Sequence, residues 1–390
     1  MTPPKTADVV VAGAGIVGCA TAHALAKRGV SVVVLEKGDI GGAVSGASLA
    51  CIGTHMIDTE EIPLLRLACD LWRDLAQALD RDFEYQRCGQ IRFVAQETDI
   101  DVARSWVAAE VAHGLTTEFL HPADVRRIVP ALTGPIFGAT WSPTDATVNP
   151  FLSCRALVED ATRDGAVFLC RTEVAGIGIE AGRVVSVATP AGEIATRCFV
   201  NATGPWARQV ADLAGLDVPI APRKAQCLAT VRLDPVIPCV VGACESAGGV
   251  ETGYTQIQQA PSGQVLFNTV VAGGVRGEGS QDRDLDVERR FIDDSIRTLL
   301  WLFPSLAEVP LLRSWARYEA ITPDDRFLVG PVPGIDGFLM AAGDGGVGFV
   351  RAPAIARILA ETIVDGQSAV PATPYDPARF AGSDGRPRES

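Results

Sequence analysis

Short apolar runs and a helix-favouring segment alternate at the start of the chain. Residues 8–12 (DVVVA) form an apolar, β-branched run, which predicts a strand buried on both faces of a parallel sheet. An Ala-rich segment from Cys19 to Arg28 favours a helix that ends at Gly29. A second apolar run, Ser31 to Leu35, ends at Glu36. This order predicts a strand–helix–strand unit.

Patterns further along the chain predict more helices and strands. Asn149 and Pro150 mark the start of a helix that runs to about residue 163, because Asn caps helices well and Pro is favoured at the first helical position. Apolar residues at helical spacing predict other helices over 62–79, 101–113, 122–129, 287–303 and 351–364. Strand patterns predict a pair of strands around Gly89 within 83–95, alternating strands over 166–198, further strands over 219–275 and a last strand at 338–342.

These patterns divide the chain into two domains. Segments of strand–helix–strand character lie at both ends and sheet-rich segments lie between them, so the first domain is predicted to be discontinuous. The predicted fold class is α/β plus α+β, with a doubly wound first domain (1–82, 149–206 and 321–377), a sheet-rich second domain (83–148 and 207–320) and a loose tail (378–390). A chain of 390 residues, 47% of them hydrophobic, can bury about two such cores.

Composition argues against several classes of function. The formal net charge of −13, from 34 basic and 47 acidic residues, argues against a nucleic-acid partner, which needs clustered Lys and Arg. No run approaches the roughly 20 apolar residues that span a membrane. Residues 1–8 show no signal-peptide pattern, so we expect no membrane span and a cytoplasmic location. The ten Cys and four His residues have no metal-ligand spacing, so no metal site is predicted.

Three glycines follow the first predicted strand. Gly13, Gly15 and Gly18 match GxGxxG, in which the first allows a tight turn, the second lets a pyrophosphate approach the backbone and the third lets helix and strand pack closely. Glu36, eighteen residues after Gly18, ends the second strand, where its carboxylate can accept hydrogen bonds from a ribose diol and would repel an extra ribose phosphate. The motif predicts dinucleotide binding; the alternative is a glycine-rich turn in an unrelated α/β domain.

The segment after Glu36 bears on which dinucleotide binds. Residues 37–48 (KGDIGGAVSGAS) are rich in Gly, Ser and Ala. Such a loop can lie along an extended diphosphate and reach toward a flavin ring, which favours FAD over NAD. The alternative is a flexible loop with no ligand.

Four segments in order carry a resemblance to a known family. They are the strand–GxGxxG–helix–strand–Glu36 unit with Ser45-Gly-Ala-Ser48, the tripeptide Thr172-Glu-Val174, the turn Asn201-Ala-Thr-Gly-Pro-Trp206, and the stretch from Thr322-Pro-Asp324 through Gly330-Pro331 to residues 342–349 (AGDGGVGF). Over about residues 7–377 the chain resembles the D-amino-acid oxidase superfamily of flavoenzymes. That group includes glycine oxidase, sarcosine oxidases, and the β subunits of proline, hydroxyproline and opine dehydrogenases. The resemblance implies a Rossmann-like FAD-binding domain and a sheet-containing substrate domain.

The resemblance also implies which residues contact FAD. The helix after the glycine-rich loop would direct its N-terminus at the flavin and stabilise negative charge on the reduced ring. No Cys or His can be matched to the attachment residues of relatives, so non-covalent FAD is predicted. The predicted cofactor contacts are Gly13, Ala14, Gly15, Ile16, Val17, Gly18, Glu36, Lys37, Ser45, Ala47, Ser48, Val174, Ala202, Thr203, Gly204, Trp206, Gly343, Asp344, Gly345, Gly346, Val347, Gly348 and Phe349.

The chemistry implied by the resemblance is oxidation of a C–N bond. The substrate would be an amino or imino acid, of the D-amino acid, sarcosine, proline, hydroxyproline or opine type. Its α-hydrogen would pass as hydride to flavin N5, and the imine formed would hydrolyse. A neutral bound amine makes a dedicated protein base unnecessary. The electrons would leave to other subunits of a heteromeric dehydrogenase or to a quinone.

This chain departs from its relatives where they bind the substrate carboxylate. Members similar to glycine oxidase carry an Arg shortly before the Thr-Pro-Asp segment, whereas this chain carries Glu319, which cannot pair with a carboxylate. Arg317 is the nearest replacement, although it can equally form a surface ion pair. Arg223 and Lys224 are further alternatives.

Asp344 is the second departure. Relatives often carry an aromatic residue or His at this position, and frequently a His where this chain has Val347. Asp344 can meet a cationic substrate group or accept hydrogen bonds from neighbouring backbone N–H groups. Together with Glu319 it would suit a basic substrate such as a guanidino opine.

The third departure lies in residues 263–268 (GQVLFN). Sarcosine oxidases that use oxygen place a Lys on the comparable strand, and this strand has none, which favours a dehydrogenase. The alternatives are an oxidase that releases hydrogen peroxide and a flavin-binding, non-catalytic subunit of a heteromeric complex. On a neighbouring strand Tyr254, Gln256 and Gln258 recur at period two and share one face, which either lines the substrate cavity or faces solvent.

Overall fold

The computed structural model describes residues 3–55, 58–244, 254–270 and 285–380, and of Tyr254 and Val270 the backbone alone. None of the helices in these ranges combines the length and the apolar character needed to cross a bilayer. The helices are α1 (Ile16–Ala26), α2 (Val44–Ala47), α3 (Ile62–Ala78), α4 (Ile100–Ala112), α5 (Pro122–Ile128), α6 (Pro150–Arg163), α7 (Ala207–Asp212), α8 (Arg289–Leu302) and α9 (Gly348–Asp365).

Two large sheets and two small ones hold the strands of these residues. The strands are β1 (Val9–Ala12), β2 (Val32–Glu36), β3 (Cys51–Ile52), β4 (Gln90–Val94), β5 (Glu118–Leu120), β6 (Gly138–Ser142), β7 (Ala146–Thr147), β8 (Val167–Cys170), β9 (Gly176–Glu180), β10 (Arg183–Thr189), β11 (Gly192–Ala195), β12 (Phe199–Asn201), β13 (Ala221–Arg232), β14 (Val240–Ala243), β15 (Tyr254–Gln259), β16 (Gln264–Val270), β17 (Leu311–Ile321), β18 (Leu328–Pro331) and β19 (Phe338–Ala342).

The six-stranded sheet has the order β18-β19-β12-β1-β2-β8, with β18 antiparallel to β19 and the other neighbours parallel. Val9 and Val11 pack with α1, α3, α6 and α9 on one face. Val10 and Ala12 pack on the other face with α7 and the small sheet β9–β11. No residue of β1 is more than 1% exposed, which confirms the predicted strand buried on both faces.

Trp72 of α3 fixes the start of α9. Pro353 lies inside α9 and has no N–H to donate to the carbonyl of Phe349, four residues earlier. The indole N–H of Trp72 donates to that carbonyl at 3.2 Å and to the carbonyl of Val350 at 3.1 Å. The Trp72 ring also stacks on Phe349 at 5.6 Å. A side chain from another helix thus replaces the hydrogen bond that proline removes.

The eight-stranded sheet has the order β17-β13-β16-β15-β14-β4-β6-β5 and is antiparallel except between β14 and β4. One face is apolar: Phe93, Ile257 and Phe267 pack with α5 and α8. The other face carries polar side chains and meets the end of α2 and the segment after it. Gln258 donates through Nε2 to the carbonyl of Leu49 at 2.6 Å, and Trp315 donates through Nε1 to the carbonyl of Ala47 at 3.0 Å.

The strands of the six-stranded sheet lie within residues 1–82, 149–206 and 321–377. Those of the eight-stranded sheet lie within 83–148 and 207–320, except that β17 ends at Ile321, one residue beyond the predicted boundary. The division into two domains remains a prediction. Asn149 caps α6, accepting hydrogen bonds at 3.1 Å from the N–H groups of Phe151 and Leu152, as predicted. α1 and α9 begin at Ile16 and Gly348, three residues earlier than predicted, because each helix starts directly from its glycine-rich loop.

The predicted pair of strands around Gly89 is wrong. Only β4, after Gly89, is a strand, and its partners are β14 and β6. Before the turn, Gln86 makes an isolated bridge with Thr147. Gly89 has φ of +76°, and an added Cβ would lie 2.1 Å from the Trp141 ring, so the turn is fixed by close packing. Alternation of apolar and polar residues identifies a strand but does not identify the strand with which it pairs.

Candidate cofactor and substrate site

The three glycines after β1 are required for different reasons. A Cβ on Gly18 would lie 1.9 Å from the carbonyl oxygen of Gly13, and a Cβ on Gly13 would lie 2.5 Å from that of Ala202. These two glycines let α1 and the turn after β12 pack against the loop. Gly15 caps α1 in an extended conformation, and its Cβ would meet only Ser45 Oγ, at 3.0 Å. Gly15 therefore keeps space open above the helix N-terminus.

The N-terminus of α1 is suited to an anion. Its first turn contains no acidic residue, and Gly15 supplies no side-chain cap. Ser45 Oγ accepts a hydrogen bond from the N–H of Ile16 at 2.9 Å, which brings the segment 41–48 over the helix end. Backbone N–H groups and the helix dipole favour a negatively charged group here.

Glu36 is held rigidly beside the same loop. Its Oε2 accepts a hydrogen bond from the N–H of Ala14 at 2.7 Å, and its Oε1 accepts one from the N–H of Gly38 at 2.6 Å. Each carboxylate oxygen can accept more than one hydrogen bond, so both remain able to bind hydroxyl groups. Lys37 places its ammonium group 3.8 Å from the centre of the Trp206 ring.

A cavity of about 340 Å³ joins these features to the glycine-rich loop after β19. The predicted contacts that line it are Gly13, Gly15, Ile16, Val17, Glu36, Lys37, Ser45, Val174, Ala202, Thr203, Gly204, Trp206, Gly343 and Asp344. The predicted contacts outside its lining are Ala14, Gly18, Ala47, Ser48, Gly345, Gly346, Val347, Gly348 and Phe349. Phe349 is buried against Trp72, so its side chain serves helix packing.

Sequence reasoning missed other parts of this wall. They are Ala12, Leu35, Asp39, Gly41, Gly42, Ala43, Val44, Glu173, Pro205, Gln209, Val210, Leu213, Phe327, Ala341 and Ala342. Most of them neighbour a predicted contact, and the pair Gly41-Gly42 stands in the loop already assigned to the diphosphate. A small-residue channel with an anion site at a helix N-terminus and a fixed carboxylate fits a dinucleotide.

Residues of β17 and α9 form hydrogen bonds that hold the glycine-rich loop before α9. Asp344 is half-buried and accepts a hydrogen bond through Oδ1 from the N–H of Ala320 at 3.2 Å. Burial, with a smaller contribution from the Glu319 carboxylate, raises the pKa of Asp344 to about 6. Arg351 donates to the carbonyl of Asp344 at 3.2 Å and forms an ion pair with Glu61.

Arg223 and Glu319 form an ion pair beside this loop. They lie directly opposite each other in the antiparallel strands β13 and β17. Arg223 donates to Glu319 Oε2 from Nε at 3.2 Å and from Nη2 at 2.9 Å, and Nη2 also donates to the carbonyl of Gly345 at 3.0 Å. Arg223 thus compensates the charge of Glu319, so Glu319 and Asp344 do not form the unpaired acidic couple that a guanidino substrate would need.

The remaining substrate-site candidates divide between the two faces of the sheet. Arg317 lies on the same face as Glu319 and Trp315, is half-buried, and donates to the carbonyl of Ala316 at 2.8 Å. No carboxylate pairs with Arg317 among the residues described. Lys224 lies on the opposite face, 7% exposed, with Nζ 3.9 Å from Glu288 Oε1. Lys224 therefore lies on the other side of the sheet from the polar face, which is the face toward the cofactor cavity.

Gln256 and Gln258 share one face, as predicted, and both are buried rather than facing solvent. They are 6% and 5% exposed, and Gln256 Nε2 donates to Gln258 Oε1 at 2.9 Å. The Tyr254 side chain lies outside the described part of the structure. Sequence reasoning missed Asn268, whose backbone pairs with Gln256 and whose Oδ1 accepts from the Gln256 N–H at 3.1 Å.

A second polar cluster, also missed, lies at the far end of this sheet face. His55 is completely buried, with Nδ1 3.0 Å from Glu110 Oε2 and Nε2 2.6 Å from Thr140 Oγ1. Arg92 pairs with Thr140 across β4 and β6. The alternation of Gln90, Ile91, Arg92 and Phe93 could have identified the polar face. No group of His, Cys, Asp or Glu in the described ranges is arranged to hold a metal ion.

Comparison with known proteins covers nearly the whole chain. The family model for FAD-dependent oxidoreductases matches residues 8–362. Hydrogen cyanide synthase subunit HcnC of Pseudomonas aeruginosa is 25% identical, with 96% of this chain and 97% of that protein aligned. Sarcosine oxidase subunit beta of Rhodobacter capsulatus is 26% identical, with 94% and 87% aligned. The crystal structure of L-proline dehydrogenase from P. horikoshii is 29% identical, with a TM-score of 0.89 over 99% of this chain and 100% of that one.

Proposed function

Because this chain belongs to the family of FAD-dependent oxidoreductases, we propose that it is a dehydrogenase that oxidises the C–N bond of an amino or imino acid. Its family makes it an enzyme that depends on FAD, as the resemblance to the D-amino-acid oxidase superfamily implied. The substrate class is supported by relatives named for sarcosine and for L-proline, with the latter aligned along almost its entire length.

The observation that carries this proposal is the single cavity between Glu36 and Asp344. It brings the Glu36 carboxylate, the N-terminus of α1 and the start of the glycine-rich loop before α9 into one wall. Glu36 would hold the adenosine ribose, the loop of Gly13 and Gly15 the pyrophosphate, and the α9 end the flavin. Bound FAD supplies the hydride acceptor, at N5 of its ring. Non-covalent attachment remains a prediction.

Substrate binding is assigned to the polar face of the eight-stranded sheet. Arg317 is a half-buried cation on that face with no carboxylate partner in the described ranges, so it is suited to the substrate carboxylate. Gln256 and Asn268 provide buried polar groups on neighbouring strands. Gln258 and Trp315 of this face donate to the carbonyls of Leu49 and Ala47, so the sheet packs against the end of α2 and the segment after it.

The choice of a dehydrogenase over an oxidase depends on β16. This strand, Gln264–Val270, contains no Lys, whereas oxygen-using sarcosine oxidases carry one on the comparable strand. Two of the relatives are named as subunits, which supports electron transfer to a partner subunit; a quinone is the other acceptor we propose. An oxidase that releases hydrogen peroxide is the alternative, and direct measurement separates the two.

The test is anaerobic reduction of the purified, FAD-loaded protein. Glycine, sarcosine, D- and L-proline, other D- and L-amino acids and opines are added in turn, and the loss of flavin absorbance is recorded. We expect one class of amine to bleach the flavin, with slow peroxide formation in air and fast reduction of an artificial dye. Bleaching by none of these compounds contradicts amine oxidation, and fast peroxide release establishes the oxidase.

Arg317→Met tests the assignment of the carboxylate-binding group. We expect the half-saturating concentration for flavin reduction to rise by about tenfold or more, because a charge-assisted contact to the substrate is lost. Arg297→Met is the control, since the Arg297 side chain lies on the exposed side of α8 and pairs with Asp294. Equal effects of the two substitutions would remove Arg317 from the binding site.

A further inference from the structure

The two oxygens of the Glu319 carboxylate have different surroundings. Oε2 accepts both hydrogen bonds from Arg223, at 3.2 and 2.9 Å. Within the described part of the chain no donor reaches Oε1. The side chain of Glu319 is 21% exposed, so Oε1 is open to a ligand or to water. One oxygen is therefore used to fix the carboxylate, and the other is free to bind.

Gly346 leaves Oε1 uncovered. A Cβ at position 346 would lie 3.0 Å from Oε1 and 3.2 Å from Oε2. Gly346 also has φ of +90°, a conformation that residues with side chains rarely adopt. The glycine-rich loop thus passes close to Glu319 without closing over it, and Oε1 faces the region where that loop and the sheet meet.

The charges around Glu319 come from three places. Arg223 on β13 is paired with it, Arg317 lies two residues away on the same strand face, and Asp344 lies in the adjacent loop. Cys227, also on β13, is buried, which raises its pKa to about 12 and keeps the thiol neutral. Arg317 is the cation in this set without a carboxylate partner among the described residues. The site therefore presents an acceptor oxygen beside an available cation.

A carboxylate oxygen accepts hydrogen bonds and donates none, so a group that binds Oε1 must be a donor. The amine of an amino or imino acid is such a donor, and its carboxylate would be repelled from Glu319 and attracted to Arg317. We propose that Glu319 binds the substrate amine through Oε1, and that Arg223 is the positioning residue that holds Oε2 and leaves Oε1 exposed. This inference rests on the proposed function and assigns the two ends of the substrate to Arg317 and Glu319, which lie two residues apart on one face of β17.

This contact also orients the amine for hydride transfer. The amine must be neutral, with its lone pair free to form the C=N bond, when the α-hydrogen departs as hydride to the FAD of the proposed function. An ammonium substrate therefore first loses its proton to water: an N–H bond breaks and an O–H bond of hydronium forms. A carboxylate beside the amine favours the protonated form, so Glu319 raises the pH at which the bound substrate becomes neutral.

The test uses the FAD-loaded enzyme and whichever amine bleaches the wild type. For Glu319→Gln we expect the half-saturating concentration in anaerobic flavin reduction to rise by about tenfold or more. We also expect the pH at which reduction reaches half its plateau to move down, because loss of the carboxylate removes the charge that favours the protonated, unreactive amine. Glu288→Gln is the matched control, because Glu288 faces Lys224 on the opposite side of the same strand pair. It should leave the half-saturating concentration within about twofold of the wild type and the pH of half-maximal reduction unchanged.

The role of Arg223 is tested by exchange of the pair. Arg223→Glu combined with Glu319→Arg keeps an ion pair across β13 and β17 but removes the acceptor from β17. A purely structural pair predicts that this exchange restores flavin reduction, whereas our proposal predicts that the defect persists with FAD content unchanged. Restored reduction, or a Glu319→Gln variant that matches the wild type in both readouts, overturns the inference. A wild type that no amine bleaches overturns the proposed function itself and this inference with it.

Discussion

Arg351, in the first turn of α9, forms a buried ion pair with Glu61, which lies 290 residues earlier in the chain. The two side chains are 3% and 5% exposed. A cation at a helix N-terminus is unfavourable because it faces the positive end of the dipole, and Glu61 compensates for this. Arg351 also donates to the carbonyl of Asp344. The pair therefore connects the start of α3 to the glycine-rich loop of the cavity.

Removal of one member of this pair should destabilise the fold strongly. Glu61→Gln leaves the Arg351 guanidinium buried without its counter-charge, and we expect a loss of about 3–5 kcal/mol in the free energy of unfolding. Urea denaturation of the FAD-free protein measures it. Arg357→Met is the control in the same helix: Arg357 forms an exposed pair with Glu361, so its loss should cost less than about 1 kcal/mol. Equal losses of stability in the two variants would show that the pair of Glu61 and Arg351 contributes no more than an exposed ion pair.

Gly15 and Gly18 should respond differently to substitution. A Cβ at Gly18 clashes with the backbone oxygen of Gly13 at 1.9 Å, so Gly18→Ala must shift α1 and should cost on the order of 1–3 kcal/mol of stability. A Cβ at Gly15 meets only Ser45 Oγ, so Gly15→Ala should leave the FAD-free fold intact and weaken FAD binding by about tenfold or more, or 1.4 kcal/mol. Flavin fluorescence titration and urea denaturation of both variants measure the two effects, and a reversed pattern contradicts this account.

Glu36 should select for the adenosine half of the cofactor. If its carboxylate binds the adenosine ribose, Glu36→Gln should weaken FAD binding by about tenfold. FMN lacks that ribose, so its weaker binding should be unaffected by the same substitution. Isothermal titration with the two flavins measures the difference, with Glu180→Gln, on the exposed end of β9, as the control. If Glu36→Gln weakens the binding of FAD and FMN equally, Glu36 only maintains the structure of the loop and does not bind the adenosine ribose.

Features encoded by neighbouring residues were predicted well from the sequence. The glycines after β1, the carboxylate at the end of β2 and the cap at Asn149 each follow from a few adjacent positions. The loop before α9 was located for the same reason. Its glycines are required where an added Cβ would collide, as at Gly348, whose Cβ would lie 2.6 Å from that of Asp344.

Contacts between distant segments could not be predicted. Arg223 meets Glu319 because β13 and β17 pair in one particular register, and a slip of either strand by one residue would turn its member of the pair to the apolar face. Register depends on the whole sheet, so the sequence favoured Arg317 as the nearest replacement and could not separate Arg223 from Lys224. The ion pair of Glu61 and Arg351 and the buried site of His55 likewise depend on packing between elements far apart in the chain.

Asp344 should make stability depend on pH. Its pKa is about 6 in the folded protein, raised mainly by burial, against about 3.9 in an unfolded chain. The folded state therefore binds this proton more tightly than the unfolded state does. The contribution of the proton to the free energy of unfolding is fully present below about pH 4 and is lost as the pH rises through 6. Relative to Asp344→Asn, the wild type should lose on the order of 1–2 kcal/mol between about pH 4 and 7, since partial exposure screens the effect. Urea denaturation of the FAD-free protein across this pH range measures the loss. Asp234→Asn, at an exposed position, is the control and should show the same pH dependence as the wild type. If the stability of the wild type and of Asp344→Asn changes in parallel with pH, the pKa of Asp344 is not raised.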